Sequence, residues 1–124
     1  MKVALIDDDP VEETILSGLA EHIDLPVAFT AFTTLERFLE HPEARGFDMI
    51  FLDRRVPPHL DFTDTLPKLA EAGVTSPIVL LTARTLGRVH PPEGLSVMGP
   101  YEKLDVQDPD VLADLLSGRR PPGL

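Results

Sequence analysis

Three aspartates, a threonine and a lysine stand at the ends of apolar runs in this sequence, and these are residue types that handle phosphate and divalent cations. Asp7 and Asp8 follow Val3-Ala4-Leu5-Ile6, and Asp53 closes Met49-Ile50-Phe51-Leu52. Thr82 closes Ile78-Val79-Leu80-Leu81, and Lys103 lies just beyond a run ending near Tyr101. Carboxylates gathered in a partly buried place repel one another, and a hard divalent cation is the usual remedy. Magnesium suits such a set, because it prefers oxygen ligands, keeps several waters and binds through one or two carboxylates together with a phosphate oxygen. An ammonium and a hydroxyl supply the remaining partners of a phosphoryl group. Taken singly, each residue has a plainer reading: an aspartate as a loop residue, a threonine bonded to backbone, a lysine as a surface charge. Their joint placement carries the argument.

For these five side chains to meet, the apolar runs must be parallel strands whose carboxyl ends share one edge, which is where α/β sheets collect ligands. The chain alternates short apolar runs with amphipathic stretches, the pattern of a parallel sheet covered on both faces. Five strand-helix units are expected. The first strand spans Lys2 to Ile6, and its helix has Asp9 as N-cap, Pro10 at the first helical position and Glu12 at capping-box spacing. Val11, Ile15, Leu19 and Ile23 repeat every four residues and predict the apolar face of that helix. A second strand is expected over Val27 to Phe32, followed by capping-box spacing in Thr33-Thr34-Leu35-Glu36 and the short apolar stripe Leu35, Phe38, Leu39. The unbroken third run, Met49 to Leu52, belongs at the centre of the sheet.

Pro57 and Pro58 mark a loop, and a third helix is expected from about Asp64 to Ala72, ended by Gly73, with Pro67 in its first turn. The fourth strand is Ile78 to Leu81. Gly87, Pro91, Pro92 and Gly94 leave little room for the helix that should follow, which predicts one that is short or absent. The last strand lies near Leu95 to Tyr101 and the last helix at Pro109 to Leu116. Residues 1–118 therefore read as one domain, and 119–124 as a disordered tail.

Composition fits a soluble domain: 124 residues, 43% hydrophobic and 26% charged, enough to bury a substantial core. No cysteine is present, which excludes disulfides and thiolate metal sites. The net charge of −10 disfavours nucleic acid as a partner. The apolar run after Lys2 is too short for a signal-peptide core or a membrane span, so the expected location is the cytoplasm, with no membrane contact. His22, His41, His59 and His90 are scattered without metal-ligand spacing and are read as solvated.

The segments VALIDDDP, FDMIFLDRRVPP, PIVLLTA and YEKLD resemble the receiver domains of two-component response regulators. The resemblance covers nearly the whole chain. Asp8 and Asp53 are 45 positions apart, Asp53 and Thr82 are 29 apart, and Thr82 and Lys103 are 21 apart, close to that family's spacing. It implies a flavodoxin-like (βα)5 fold, a doubly wound parallel five-stranded sheet, here with an irregular fourth helix. It also implies that Asp53 is the phosphoacceptor and that Asp8 and Asp53 ligate Mg2+ directly. Asp7 would assist and the backbone carbonyl of Arg55 would complete the protein ligands. Thr82 would hydrogen-bond the phosphoryl group and Lys103 would pair with it. Pro57 matches the family's loop proline. The chain departs from the pattern with Val56 in place of methionine, Asp61 in place of glycine and Leu104 in place of a proline. The position three before the lysine, usually an aromatic switch residue, is Pro100, and Tyr101 stands two before it.

The function so implied is a stand-alone phospho-accepting switch in a phosphorelay, not an enzyme acting on metabolites, although it assists its own phosphorylation and dephosphorylation. Its partners would be a sensor histidine kinase or phosphotransfer protein and a downstream protein, with a homodimer left open. The competing reading is a receiver-like scaffold that binds a partner without being phosphorylated. A phosphohydrolase of the haloacid dehalogenase type needs a second aspartate two positions after the first, where this chain has Arg55.

Overall fold

The structure, a computed structural model, describes residues 1–84 and 87–124. Five strands form one sheet: β1 (Lys2–Ile6), β2 (Ala28–Phe32), β3 (Met49–Asp53), β4 (Ile78–Thr82) and β5 (Val97–Glu102). Every pairing is parallel, in the order β2-β1-β3-β4-β5, so β3 is the central strand, as its unbroken apolar run predicts. Among the described residues there are five helices: α1 (Pro10–His22), α2 (Leu35–Glu40), α3 (Phe62–Glu71), α4 (Lys103–Val106) and α5 (Pro109–Leu116).

Alternate residues of each interior strand point to opposite faces, which divides the core in two. Ala4, Ile6, Ile50, Leu52, Ile78 and Leu80 pack with Leu35 and Phe38 of α2 and with Phe62, Leu66 and Leu69 of α3. Val3, Leu5, Met49, Phe51, Val79 and Leu81 pack with Leu16 of α1 and with Leu112, Leu115 and Leu116 of α5. Parallel strands covered on both sides in this way have no solvated face, hence their continuous apolar runs.

Several local expectations are corrected by the packing. The buried stripe of α1 is Glu12, Leu16 and Ala20, while Val11 is exposed and Ile15, Leu19 and Ile23 are half-buried. The four-residue repeat was therefore one residue out of phase, because Leu16 outcompetes its neighbour for the core. Thr34, not Thr33, caps α2 and accepts the Arg37 N–H. Asp61 caps α3, which starts at Phe62 and places Pro67 in the second turn instead of the first. The carbonyl left without a donor there belongs to exposed Thr63, where water can serve it. Gly73, with φ +75°, follows α3 as expected for a C-terminal stop.

Between β4 and β5 the described residues 87–94 hold no helix, in line with their prolines and glycines; residues 85 and 86, part of that expectation, lie outside the described set. The four-residue α4 begins at Lys103, directly after β5. Beyond α5, Arg119 bonds Asp114 at 3.1 Å and Pro121 is buried.

β5 carries the irregularity that matters most for the site. Val79 pairs with Met98, but Leu81 pairs with Tyr101, so Leu80 alone faces both Gly99 and Pro100. This is a one-residue bulge. Gly99 sits at φ +99°, and a Cβ on it would lie 2.9 Å from the Leu80 carbonyl oxygen and from the Tyr101 nitrogen, so glycine is required. The extra residue brings Glu102 opposite Thr82, with Lys103 next beyond the edge. It also turns Tyr101 into the α1/α5 side of the core, where it is buried.

Candidate functional site

Because all five strands are parallel, the carboxyl ends of β1, β3, β4 and β5 deliver Asp7, Asp53, Thr82 and Lys103 to one edge. Asp7 continues β1 by donating its N–H to the Phe32 carbonyl at 3.0 Å, and its Oδ1 accepts the Asp9 N–H at 2.9 Å. Asp9 then caps α1 through the Val11 N–H. Asp53 is held by the β3–β4 ladder, in register with Leu81, and its Oδ1 accepts the Arg54 N–H at 3.0 Å. Asp7 is 2% exposed, Asp53 7% and Thr82 1%, whereas Asp8 is open to solvent.

One carboxylate oxygen from each of Asp7, Asp8 and Asp53 lies within 4.8 Å of the other two. Lys103 Nζ bonds Asp7 Oδ2 at 2.7 Å and stands 3.4 Å from Asp53 Oδ1. Burial pushes the Asp53 carboxyl up to about 6, and the Asp7 charge adds to the rise, against the opposing pull of Lys103 and the Arg54 N–H. Burial also works against the Lys103 charge, but the Asp7 hydrogen bond and the surrounding carboxylates outweigh it and hold the ammonium above the usual lysine range. Three carboxylates against one ammonium leave two uncompensated negative charges. A divalent cation with oxygen ligands matches that set in charge and in donor chemistry.

An open pocket of about 130 Å³ beside Asp53 is lined by Arg54, Arg55, Thr82, Ala83, Arg84 and Lys103. Arg54 is tied to Asp61, with Nε to Oδ1 at 3.3 Å. That pairing and the Phe62 N–H hold the Asp61 carboxyl low although burial opposes them. Asp61 thus replaces the expected glycine with a helix cap and an arginine partner. Arg55 and Arg84 are exposed at the pocket rim.

The five residues singled out from the sequence are therefore brought together, and Arg55 lies at the rim beside them. Two charged neighbours escaped the sequence reading. Glu12, assigned to a capping box, is turned inward and 5% exposed; Arg54 lies directly after Asp53 without a spacing signal of its own. His22 and His90 are exposed as expected, whereas His41 and His59 are half-buried and have side-chain partners. His59 Nε2 lies 2.6 Å from Glu36 Oε1, and His41 packs edge-on against Phe32.

No protein-family model and no curated protein matches the sequence. Solved structures do match the fold. The N-terminal domain of a response regulator/sensory box/GGDEF three-domain protein from Carboxydothermus hydrogenoformans aligns with TM-score 0.71 at 18% identity, covering 95% of this chain and 92% of that one. The chain has the receiver-domain fold. The BeF3-activated N-terminal receiver domain of Klebsiella pneumoniae RstA aligns with TM-score 0.68 at 22% identity, over 96% of this chain and 97% of that domain. The response regulator TrrA of Thermotoga maritima, solved in complex with Mg2+-BeF, aligns with TM-score 0.53 at 20% identity, over 68% and 70% of the two chains. Among the described residues, no helix of this receiver fold is long and apolar enough to cross a membrane.

Proposed function

We propose that this chain is a phospho-accepting signalling switch in which Asp53 takes a phosphoryl group from the phosphohistidine of a sensor kinase or phosphotransfer protein. The observation that carries this reading is the convergence of Asp7, Asp8 and Asp53 within 4.8 Å, with Lys103 bridging Asp7 and Asp53. The receiver-fold structures of RstA with BeF3 and TrrA with Mg2+-BeF support extending the phosphoryl chemistry to this site.

In this reading an Asp53 carboxylate oxygen forms a bond to phosphorus while the bond from phosphorus to the histidine nitrogen breaks. The imidazole leaves with the electron pair and takes up a proton, and an acyl phosphate remains on Asp53. Water later attacks the same phosphorus, inorganic phosphate departs and the carboxylate returns. Asp7, Asp8, Asp53 and the Arg55 backbone carbonyl would hold Mg2+, which supplies charge neutralisation for the phosphoryl oxygens. Lys103 provides a point charge for a phosphoryl oxygen, and the Thr82 hydroxyl, which accepts the Arg84 N–H at 3.4 Å, remains able to donate to another. The phosphorylated state then biases contacts with a downstream protein.

Incubation with Mg2+ and acetyl phosphate, read by intact mass, tests the reading. The protein is expected to gain one phosphoryl group, and Asp53→Ala to gain none. A folded protein that gains no mass from small donors or from kinases is instead the unphosphorylated scaffold.

A further inference from the structure

Glu12 is a buried charge that phosphoryl transfer, as described above, does not use. It is the third residue after the cap Asp9, placed by sequence to reach back to the Asp9 N–H. That N–H is already taken by Asp7 Oδ1 at 2.9 Å. Glu12 turns into the protein instead, 5% exposed, and its Oε1 is buried with no hydrogen-bond partner. Thr65 Oγ1 is the other such buried side-chain oxygen among the described residues, and it lies on α3. An orphaned buried acceptor is costly and calls for a donor.

The groups acting on Glu12 come from two places. Lys103 and Gln107 belong to α4 and its C-cap, and Asp7 and Asp9 belong to the β1–α1 turn. Burial pushes the carboxyl up, Lys103 and Gln107 oppose that rise, and Asp7 and Asp9 add to it. Lys103 meanwhile is shared between carboxylates. It bonds Asp7 at 2.7 Å, stands 3.4 Å from Asp53, and feels the Glu12 charge as well. A cation drawing on Asp7 and Asp53 competes with Lys103 for the same carboxylates. The displaced ammonium needs another acceptor nearby, and Glu12 Oε1 is one that lacks a donor.

We propose that Glu12 is a positioning residue for Lys103, receiving its ammonium when a divalent cation engages Asp7 and thereby favouring cation binding at the acid cluster. The proposal rests on the reading of Asp7, Asp8 and Asp53 as a Mg2+ site. It assigns the inward turn of Glu12 a role that a simple N-terminal acid on a helix does not have.

The test is a calorimetric Mg2+ titration of the whole chain carrying Glu12→Gln, Lys103→Met and both, with thermal melting to verify folding. Glu12→Gln is expected to weaken Mg2+ binding about tenfold when Lys103 is present, the scale of a hydrogen bond to a charged group. In the Lys103→Met background the same change is expected to cost less than about twofold, because the two residues act as a unit. Lys103→Gln serves the same cycle if the methionine variant does not fold. Glu12→Met, which keeps the volume, is expected to weaken binding like Glu12→Gln while leaving the metal-free protein at least as heat-stable as the parent. Equal weakening with and without Lys103 overturns the proposal, since Glu12 then acts on the cation by its charge alone. Parent-like affinity in Glu12→Gln or Glu12→Met overturns it too. If the parent itself binds no Mg2+, the cation site falls and the role of Glu12 with it, whereas a parent that binds beside indifferent Glu12 variants removes this inference alone.

Discussion

Strand β3 changes character within one residue. From Met49 to Leu52 its side chains are 0–3% exposed, with strands on both sides and helices on both faces. Asp53 is the next residue in the same ladder and nearly as buried, yet its carboxyl is pushed up to about 6 by that burial and by Asp7. Equal depth thus has opposite consequences for an apolar and an ionisable side chain. The interior of the sheet holds the stability reserve, and the carboxyl edge draws on it. The cost sits where a bound cation or phosphoryl group can offset it.

The largest effect expected from breaking this contrast is in the interior. Phe51→Ala should lower unfolding free energy by about 3–5 kcal/mol, because a fully buried aromatic leaves a cavity that a sheet packed on both faces cannot close. Denaturant unfolding measures it, and a loss below about 1 kcal/mol would show that the interior is looser than the burial indicates.

At the edge the sign reverses. Asp53→Asn should stabilise the metal-free protein at pH 7 by on the order of 2 kcal/mol, since a rise from 3.8 to about 6 corresponds to at most ~3 kcal/mol. A carboxyl with a raised folded pKa contributes most stability when protonated, and that contribution is lost as pH climbs from 3.8 through about 6. The gap between variant and parent should therefore be small near pH 4, widen up to about pH 6.5 and stay level above it. A gap independent of pH would remove Asp53 ionisation as the cause.

Mg2+ should partly erase the same penalty in the parent. At ten times its dissociation constant the gain is about 1.4 kcal/mol by mass action, read as a rise in melting temperature that Asp8→Asn diminishes. An unchanged melting temperature at millimolar Mg2+ in both proteins would argue against a cation at the edge.

The smallest effect concerns the rim of the pocket. Arg55 and Arg84 are exposed beside Asp53, while Arg54 is engaged by Asp61. Guanidinium groups that pair with phosphoryl oxygens also obstruct the approach of water. Arg55→Asn with Arg84→Ala should speed loss of phosphate from the purified phosphoprotein a few-fold without preventing phosphorylation. A rate equal to or below the parent's, at the same Mg2+ concentration, reverses the assignment.

Much of this molecule follows from local sequence chemistry. The runs ending at Ile6, Leu52 and Leu81 define strands because a doubly covered parallel sheet tolerates little else, and Asp9-Pro10 starts α1 by its own capping geometry. The spacing of Asp8, Asp53, Thr82 and Lys103 places polar groups at strand ends, and parallel topology turns strand ends into a common edge. Gly87, Pro91, Pro92 and Gly94 are enough to rule out a normal helix before β5.

What the sequence could not settle depends on groups far apart in the chain. Glu12 has the spacing of a capping box, but Asp7 takes the Asp9 N–H, and the side chain is buried instead, where the charge of Lys103, 91 positions away, acts on it. The stripe on α1 is set by which residue faces Leu5 and Phe51, which periodicity among near-equivalent apolar residues does not decide. The Gly99 bulge fixes both how far Lys103 reaches and which face Tyr101 enters, because adding one residue to a strand reverses every side chain after it. Residue types and intervals determined the chemistry available to this protein. Only tertiary structure decided which charges are buried together, since desolvation and repulsion act through space and leave no periodic mark on the chain.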